Sequence, residues 1–360
     1  SDGSPLTSAA QLVKAPRPDI VLIILESFSS HLMPSLGGAD VASGLDSIGR
    51  DGVLFGNVFA SSFRTDRALT AILSGFPATT NTSLLKFTGK FPNLPSMPAA
   101  LKSAGYSNSY FYGGDANFTN MSAYLRSAGF GQLVSDKDFP LSQRASKWGA
   151  HDGVLFDRAL HDIAARVSST TPTFTVVQTS SSHEPFEVPY SNPRFADNPR
   201  ANAFAYTDSC LTAFVGSLRR LPSWNRTLVV IVPDHWGCWP QGLDPADRHR
   251  IPLVLTGGAL AQRGLRIDKT VMQTDLAATI LAAAGVSCPL TYSRDILDPA
   301  TRPVAVFTEP SMIGIVTPAD TLIYNPDGET VIEASGRNPQ ALIPQARAFM
   351  RDISNSMHKL

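Results

Sequence analysis

Neither sign of charge is in excess in this 360-residue chain: 30 Lys and Arg stand against 30 Asp and Glu. A net charge of zero supplies no field to gather nucleic acid or an anionic membrane surface, and no Lys/Arg run does so locally, so no nucleic-acid partner is expected. Cysteine is scarce as well. Cys210, Cys238 and Cys288 are odd in number, far apart and without CxxC spacing, which signals neither a disulfide framework nor a thiolate zinc site and leaves the compartment open. Long apolar runs are missing: the longest, "DIVLIIL", is strand-sized, well short of the roughly 18 to 20 residues that span a bilayer. The chain also lacks an initiator Met, a signal peptide, internal repeats and low-complexity linkers. Its polar opening "SDGSPLTS" suggests that residues 1–17 are a linker behind a membrane anchor absent from this piece.

What is there is ample apolar material. With 43% hydrophobic and 17% charged residues, the chain can bury a large core as one large or two modest domains. Apolar runs rich in Val, Ile and Phe alternate with longer stretches of helical spacing, the pattern of an α/β protein with a largely parallel or mixed sheet. Strands are predicted at Asp19 to Leu25, Val53 to Phe59, Ser107 to Tyr112, Thr173 to Gln178, Leu228 to Val232 and Leu253 to Thr256. Helices are predicted at Thr65 to Leu73, Ser96 to Ala104, Asn120 to Ala128, Gly153 to Ser168, Asn202 to Leu221 and Thr274 to Ala284. From Arg302 onward the pattern changes to short strands joined by turns such as Asn325-Pro-Asp-Gly, closed by a helix from about Pro339 to Ser354. That reads as a small antiparallel C-terminal subdomain.

In open α/β sheets ligands bind beyond the carboxyl ends of the strands, so polar residues that directly follow a strand are the first candidates. Glu26 follows the first strand in "ILESFSS", Thr65 opens a helix after the second in "FRTDRAL", His183 and Glu184 follow another in "TSSSHEPF", and Asp234 and His235 end the run "LVVIVPDHW". Two carboxylates and an imidazole suit a borderline divalent cation such as zinc or manganese. Thr65 could be a fourth ligand: a metal-bound hydroxyl loses its proton more easily, and the start of a helix favours an oxyanion. Taken singly, each residue has a plainer reading. Glu26 could cap a helix from Ser27, Thr65 could be an ordinary N-cap, Asp234-His235 could start a turn, and Asp152 in "WGAHDGV" could be an N-cap. Their joint occurrence at strand ends favours the chemical reading.

In order, "IILESFSS", "SSFRTDRALTAILSGFPA", "FYGGDANFTNMSAYLRSAGF", "SSSHEPF" and "VPDHWG" resemble the lipoteichoic acid synthase-like branch of the alkaline phosphatase and sulfatase superfamily, from about Pro18 to Leu255. The resemblance implies that superfamily's three-layer α/β sandwich, with residues 18–300 as the catalytic domain and 301–360 as the small subdomain packed on it. It implies Glu26, Thr65, Asp234 and His235 as ligands of one divalent cation, Mn2+ foremost with Zn2+ or Mg2+ as alternatives. Thr65 would be the nucleophile, and His183 would contact the phosphate region or assist the leaving group. Enzymes of this branch move phosphoglycerol from a phospholipid to a glycan or lipid acceptor through a covalent threonine intermediate. They do so at the extracytoplasmic face of the bacterial inner membrane, and this chain is expected to act there as a monomer.

The sequence also departs from the branch. Where the synthases carry a Trp and an Arg that grip glycerol phosphate, Thr119 and Met121 stand here. Arg64, Arg67, Asp115 and Trp236 are the candidate substrate contacts, Trp148 and Trp239 candidates for an acceptor groove, and Cys238 reads as structural. A sulfatase nucleophile is disfavoured, since "FRTDRAL" lacks the C/S-x-P-x-R pattern. Phosphoethanolamine transfer, phosphodiester hydrolysis and non-catalytic headgroup or glycan binding remain the alternative readings.

Overall fold

The computed structural model describes residues 5–360. In chain order its elements are β1 (Asp19–Leu25), α1 (Ser43–Asp51), β2 (Val53–Phe59), α2 (Thr65–Ser74), α3 (Met97–Ser103), β3 (Ser107–Tyr112), α4 (Met121–Ala128), β4 (Gln132–Val134), α5 (Asp152–Ala164) and β5 (Thr173–Gln178). There follow α6 (Pro199–Arg219), β6 (Thr227–Pro233), α7 (Pro245–His249), β7 (Arg250–Thr256), β8 (Leu265–Ile267), β9 (Val271–Met272) and α8 (Asp275–Ala284). The chain ends with β10 (Ala305–Glu309), β11 (Met312–Val316), β12 (Asp320–Asn325), β13 (Thr330–Gly336) and α9 (Ile343–Lys359).

Among the described residues the main sheet has nine strands in the order β4-β3-β5-β1-β6-β7-β2-β8, with β9 beside β2. Its centre is buried on both faces, as a parallel sheet requires, and that explains the unbroken apolar runs. Ile20, Leu22 and Ile24 of β1 face a core shared with α2, α3, α4 and α8. Val21, Ile23 and Leu25 face the opposite core, against α1, α5 and α6. Period-2 alternation thus builds the expected three layers.

One strand runs against the others. β7 pairs antiparallel with β6 (Ile231 opposite Val254) and with β2 (Phe59 opposite Arg250). Two reversals leave β2 parallel to β6, so β1, β2, β5 and β6 all end at one edge, and β7 begins there. β7 starts three residues before the predicted Leu253, because Arg250 and Ile251 pair with β2 although "DRHR" looks like loop. Helix α6 likewise starts earlier than predicted, where Asn198 caps through Ala201 N–H and Pro199 takes a first-turn position that needs no N–H.

The second sheet, β10-β11-β12-β13, is antiparallel throughout, as the turn-rich pattern implied. It is stitched to the main domain where Thr308 N–H donates to the Ser61 carbonyl at 2.9 Å. α9 spans both units: Ala346 enters the core of the small sheet, and Ile353 and Met357 enter the main core. The predicted linker is partly folded in as well. Residues 1–4 lie outside the described residues, but Ala9 and Leu12 are buried in the main core and Ala9 N–H donates to Asp295.

Candidate active site

Four loops meet at the shared strand edge. Immediately after β1, Glu26 is held by its N–H donating to Thr179 Oγ1 (3.0 Å) and by its carbonyl accepting from Ser182 Oγ (2.5 Å), both from the segment after β5. No helix starts at Ser27, whose φ of 65° turns the chain away; the 3-10 turn at Ser30–Leu32 is capped by Ser29, so Glu26 is not a cap. After β6, Asp234 Oδ1 accepts from the N–H groups of Ser27 (2.8 Å) and His235 (2.7 Å), leaving Oδ2 directed at the site. Thr65 is not the N-cap of α2; Arg64 is, with no side-chain cap bond. The Thr65 hydroxyl turns outward from the helix instead.

That hydroxyl donates to Asp234 Oδ2 at 2.8 Å and lies 3.2 Å from Glu26 Oε2 and 3.4 Å from His235 Nε2. His235 Nε2 is 3.3 Å from Asp234 Oδ2 and 3.6 Å from Glu26 Oε1. Its other nitrogen, Nδ1, lies 2.7 Å from the Trp236 carbonyl. Nδ1 must carry the hydrogen to make that bond, which leaves an Nε2 lone pair facing the other three groups.

These atoms form a cage fit for a cation. A tetrahedral site with ligands at roughly 2.0 to 2.2 Å has ligand-to-ligand edges of about 3.3 to 3.6 Å, close to the spacings above. The charge balance points the same way. Glu26 and Asp234 are both buried, and among the described residues neither meets Lys or Arg; one hydroxyl proton and one imidazole cannot neutralise two carboxylates. Without a cation, burial and then the Asp234 charge hold the Glu26 carboxyl well above its ordinary range. Burial also works against Asp234, but His235 and the hydrogen bonds it accepts keep its carboxyl below the usual value. A divalent ion would relieve the strain on Glu26 and keep both groups ionised.

Several supports escaped the sequence reading. Ser27 donates its N–H to Asp234 and its hydroxyl to Glu26 Oε1 (3.0 Å); its position beside Glu26 was the one available signal. Gln273 Nε2 donates to the Pro233 and Asp234 carbonyls (2.9 and 2.8 Å) while its Oε1 accepts from Ser61 N–H, clamping the loops after β6 and β2. Nothing in "VMQTDL" announced that role. Asp152 is no N-cap: His151 precedes α5, and the fully buried Asp152 carboxylate accepts from Ser180 N–H, Ser181 N–H and Thr207 Oγ1. It shapes the "TSSSH" turn that brings Ser182 to Glu26.

The remaining candidates are less central. His183 lies on that turn but makes no hydrogen bond to the cage; its Nδ1 is 3.1 Å from the Glu184 carbonyl and its ring meets Trp148 edge-on at 4.6 Å. Arg67 is buried, its Nε donating to the Thr82 carbonyl and its guanidinium lying by Phe63. Arg64 is exposed on the other approach to Phe63. Exposed Asp115 accepts from Asn117 N–H in its own turn. Trp236 serves the cage through its carbonyl, while Trp239 stacks on Phe204 in the core; neither lines the cavity beside His183 that Trp148 does. Cys238 is exposed at φ 62°, so it has no packing role of the kind expected.

The sequence profile of a family described as Sulfatase matches residues 18–286. Over 333 residues the chain is 23% identical to lipoteichoic acid synthase 2 of Bacillus subtilis (strain 168), covering 82% of this chain and 49% of that protein. It is 23% identical over 210 residues to phosphoglycerol transferase I of Escherichia coli (strain 55989 / EAEC), covering 54% of this chain and 27% of that one. The chain therefore spans about half the length of the first relative and about a quarter of the second. Among solved structures, a protein of the alkaline phosphatase superfamily from Vibrio parahaemolyticus superposes with a TM-score of 0.88 at 24% identity, covering 100% of this chain and 92% of that one. The lipoteichoic acid synthase LtaP from Listeria monocytogenes superposes with a TM-score of 0.81 at 19% identity, covering 99% and 97%. These likenesses establish the sandwich fold.

Proposed function

The chain belongs to the sulfatase family, and from that premise we propose that it is a metal-dependent phosphotransferase acting on a phosphodiester, with phosphoglycerol as the group moved from a phospholipid to a glycan or lipid acceptor. The observation that carries this reading is the Thr65 hydroxyl at 2.8 and 3.2 Å from two buried carboxylates at the start of α2. A threonine there has no capping duty, and the positive end of the helix favours its ionised form. Names of the relatives, lipoteichoic acid synthase and phosphoglycerol transferase, support transfer over hydrolysis. The Thr in place of Cys or Ser, without the C/S-x-P-x-R pattern, supports phosphoryl over sulfuryl chemistry.

Glu26, Asp234, His235 and Thr65 would hold the divalent ion, Mn2+ foremost, which when bound lowers the pKa of a ligated hydroxyl and offsets charge on a phosphoryl oxygen. Thr65 Oγ attacks phosphorus in line and forms a phosphothreonine diester as the lipid alcohol departs. His183, on the loop flanking the cage, gives that alcohol a proton and later takes one from the acceptor, a duty suited to imidazole near neutrality. Ser27 ties the Glu26 loop to the Asp234 loop, and Gln273 ties the Asp234 loop to the one after β2 that leads to Thr65. The same reading sets the reaction at the extracytoplasmic face of a bacterial inner membrane, where phospholipid headgroups and envelope glycans are both within reach.

The test is intact-protein and peptide mass spectrometry after incubation with total lipid extract and Mn2+. A mass increment on the Thr65 peptide that matches glycerol phosphate is the expected result, absent in Thr65→Ala. An adduct on another residue, or turnover of a chromogenic phosphodiester by Thr65→Ala at the wild-type rate, would sink the mechanism.

A further inference from the structure

Thr308 and Glu309 end β10 on the small sheet, and because successive strand residues point to opposite faces they reach different loops of the cage. Thr308 is buried. Its N–H donates to the Ser61 carbonyl (2.9 Å), its carbonyl accepts from Ser62 Oγ (2.8 Å), and its hydroxyl faces the Ala78 and Thr79 carbonyls at 3.1 and 3.2 Å. Ser61 and Ser62 lead into α2 and Ala78 and Thr79 follow it. One residue of β10 therefore holds both ends of the segment that carries Thr65.

Glu309 reaches toward the loop that carries His235. Its Oε2 accepts from Arg248 Nη2 at 2.8 Å, and among the described residues that guanidinium has no other hydrogen-bond partner; its Nε is buried without one. The Arg248 and Glu309 side chains are only 25% and 15% exposed, so the pair is largely out of water and holds its geometry more firmly than a surface ion pair does. Arg248 lies over Trp236, its Cζ 5.8 Å from the ring centroid, and the same indole donates Nε1–H to the Pro240 carbonyl at 3.2 Å. The ring is thus held from two directions. Trp236 is the residue whose carbonyl accepts His235 Nδ1–H at 2.7 Å, the bond that turns His235 Nε2 toward Glu26, Asp234 and Thr65.

We propose that Glu309 is a positioning residue for the metal ligand His235, acting through Arg248 and Trp236, so that the small sheet sets the shape of a cage to which it gives no ligand. Without Glu309 the guanidinium loses its one hydrogen-bond partner and moves toward solvent. The indole then loses the cation on its face, and the Trp236 carbonyl is freer to leave His235 Nδ1. Thr308 keeps the Thr65 loop in place meanwhile, so the change falls on one side of the cage. The role rests on the metal-cage reading above and is independent of which group is transferred.

Isothermal titration of the purified chain with Mn2+, beside long-range 1H–15N NMR of the histidine rings in the metal-free chain, tests the role without requiring turnover. Glu309→Gln keeps the shape and removes the charge, and Arg248→Gln breaks the same link from its other end. Each should weaken Mn2+ binding about 3- to 10-fold and shift the His235 ring signals. The double variant should be no weaker than either single one, because both act on one path. Leu322→Ala, in the apolar centre of the small sheet, is the control for stability alone: its urea midpoint should fall while Mn2+ affinity stays within about twofold of the wild type. Unchanged affinity in Glu309→Gln, losses that multiply in the double variant, or an equal loss in Leu322→Ala overturns the proposal. A wild type that binds no Mn2+ tells against the cage reading instead. The metal-free spectra then decide the positioning role, and His235 signals unaltered by Glu309→Gln would refute it.

Discussion

Asp234 divides its two oxygens between structure and chemistry. Oδ1 takes two backbone N–H groups, and Oδ2 takes the Thr65 hydroxyl. An amide in its place can satisfy Ser27 and His235 only with its oxygen at the Oδ1 position, which puts its NH2 where the cation needs a lone pair. Asp234→Asn should therefore melt within a few degrees of the wild type yet retain no stoichiometric Mn2+ and lose on the order of 10²-fold or more in phosphodiester turnover; elemental analysis beside a thermal melt checks it, and full metal occupancy would count against the ligand. Asp208 offers a pH test away from the site. Burial, helped by Asp40 and Asp46, pushes its carboxyl up to about 6 against an ordinary value of 3.8, despite N–H bonds from Leu45 and Gly44. Between those values the folded state holds a proton that the unfolded state has released, so its stabilising contribution is complete below about pH 4 and lost as pH rises through about 6. The loss approaches about 1.4 kcal/mol per pH unit inside that window. Urea titrations at pH 4.5 and 7 should show a smaller drop for Asp208→Asn than for the wild type, and an equal drop would refute the assignment. The four cage residues were legible in the sequence because Glu26, Asp234 and His235 are reactive side chains just past strand ends and Thr65 opens the helix that follows one. Ser27, Gln273 and Asp152 were not, because they act through backbone amides, hydroxyls and carbonyls supplied from remote segments, and no pattern in one sequence reports such pairings.

At the scale of elements, the site depends on how closely two loops approach. A Cβ on Gly237 would overlap the Ser27 side chain, and Ser27 already sits at φ 65°. Gly237→Ala must push the Asp234-His235 loop away from the Glu26 loop, and the shift lands on the cage rather than on the core. Mn2+ affinity should fall roughly 10- to 100-fold, as for loss of other supports of metal ligands, with little change in the urea midpoint; isothermal titration against Mn2+ measures it, and unchanged affinity would show that the loops are not in register with the site. The helix carrying Thr65 ends at Gly75, at φ 59°, where a Cβ would come 2.6 Å from Ser293 Cβ. Its pitch is thus fixed at both ends. Most elements could be read from the sequence because periodicity and turn residues agreed with burial: β1, β2, β3 and β5 begin and end at the predicted residues. β8 and β9 were missed because two or three residues carry no period, and α1 because its "SGLDSIGRD" mixes glycine and charge. The direction of β7 was beyond sequence reasoning, since strand sense is set by which neighbour it meets.

For the molecule as a whole, the question is whether the C-terminal unit folds by itself. Residues 301–360 read as a separate small subdomain, and its sheet has its own apolar centre around Phe307, Ile315 and Leu322. Yet α9 continues past that centre into the main core. Ile353 is fully buried there, Lys90 Nζ donates to the Met357 carbonyl, and Asn93 to that of Leu360. Glu309, on the small sheet, pairs with Arg248 from the segment leading into β7, next to the site edge. Contacts distributed in this way couple the two units, so we predict one unfolding transition rather than two. Ile353→Ala removes a buried side chain from the main core at a cost of about 2 to 5 kcal/mol. If the coupling holds, the variant's lower urea midpoint will be the same whether read by tryptophan fluorescence, by far-UV circular dichroism or by release of bound Mn2+. Trp148, Trp224, Trp236 and Trp239 all precede the small sheet, so fluorescence reports the main unit alone while circular dichroism reports both. A circular dichroism curve split into two steps, with metal release following only one of them, would mean that α9 frays independently and that the site does not depend on it.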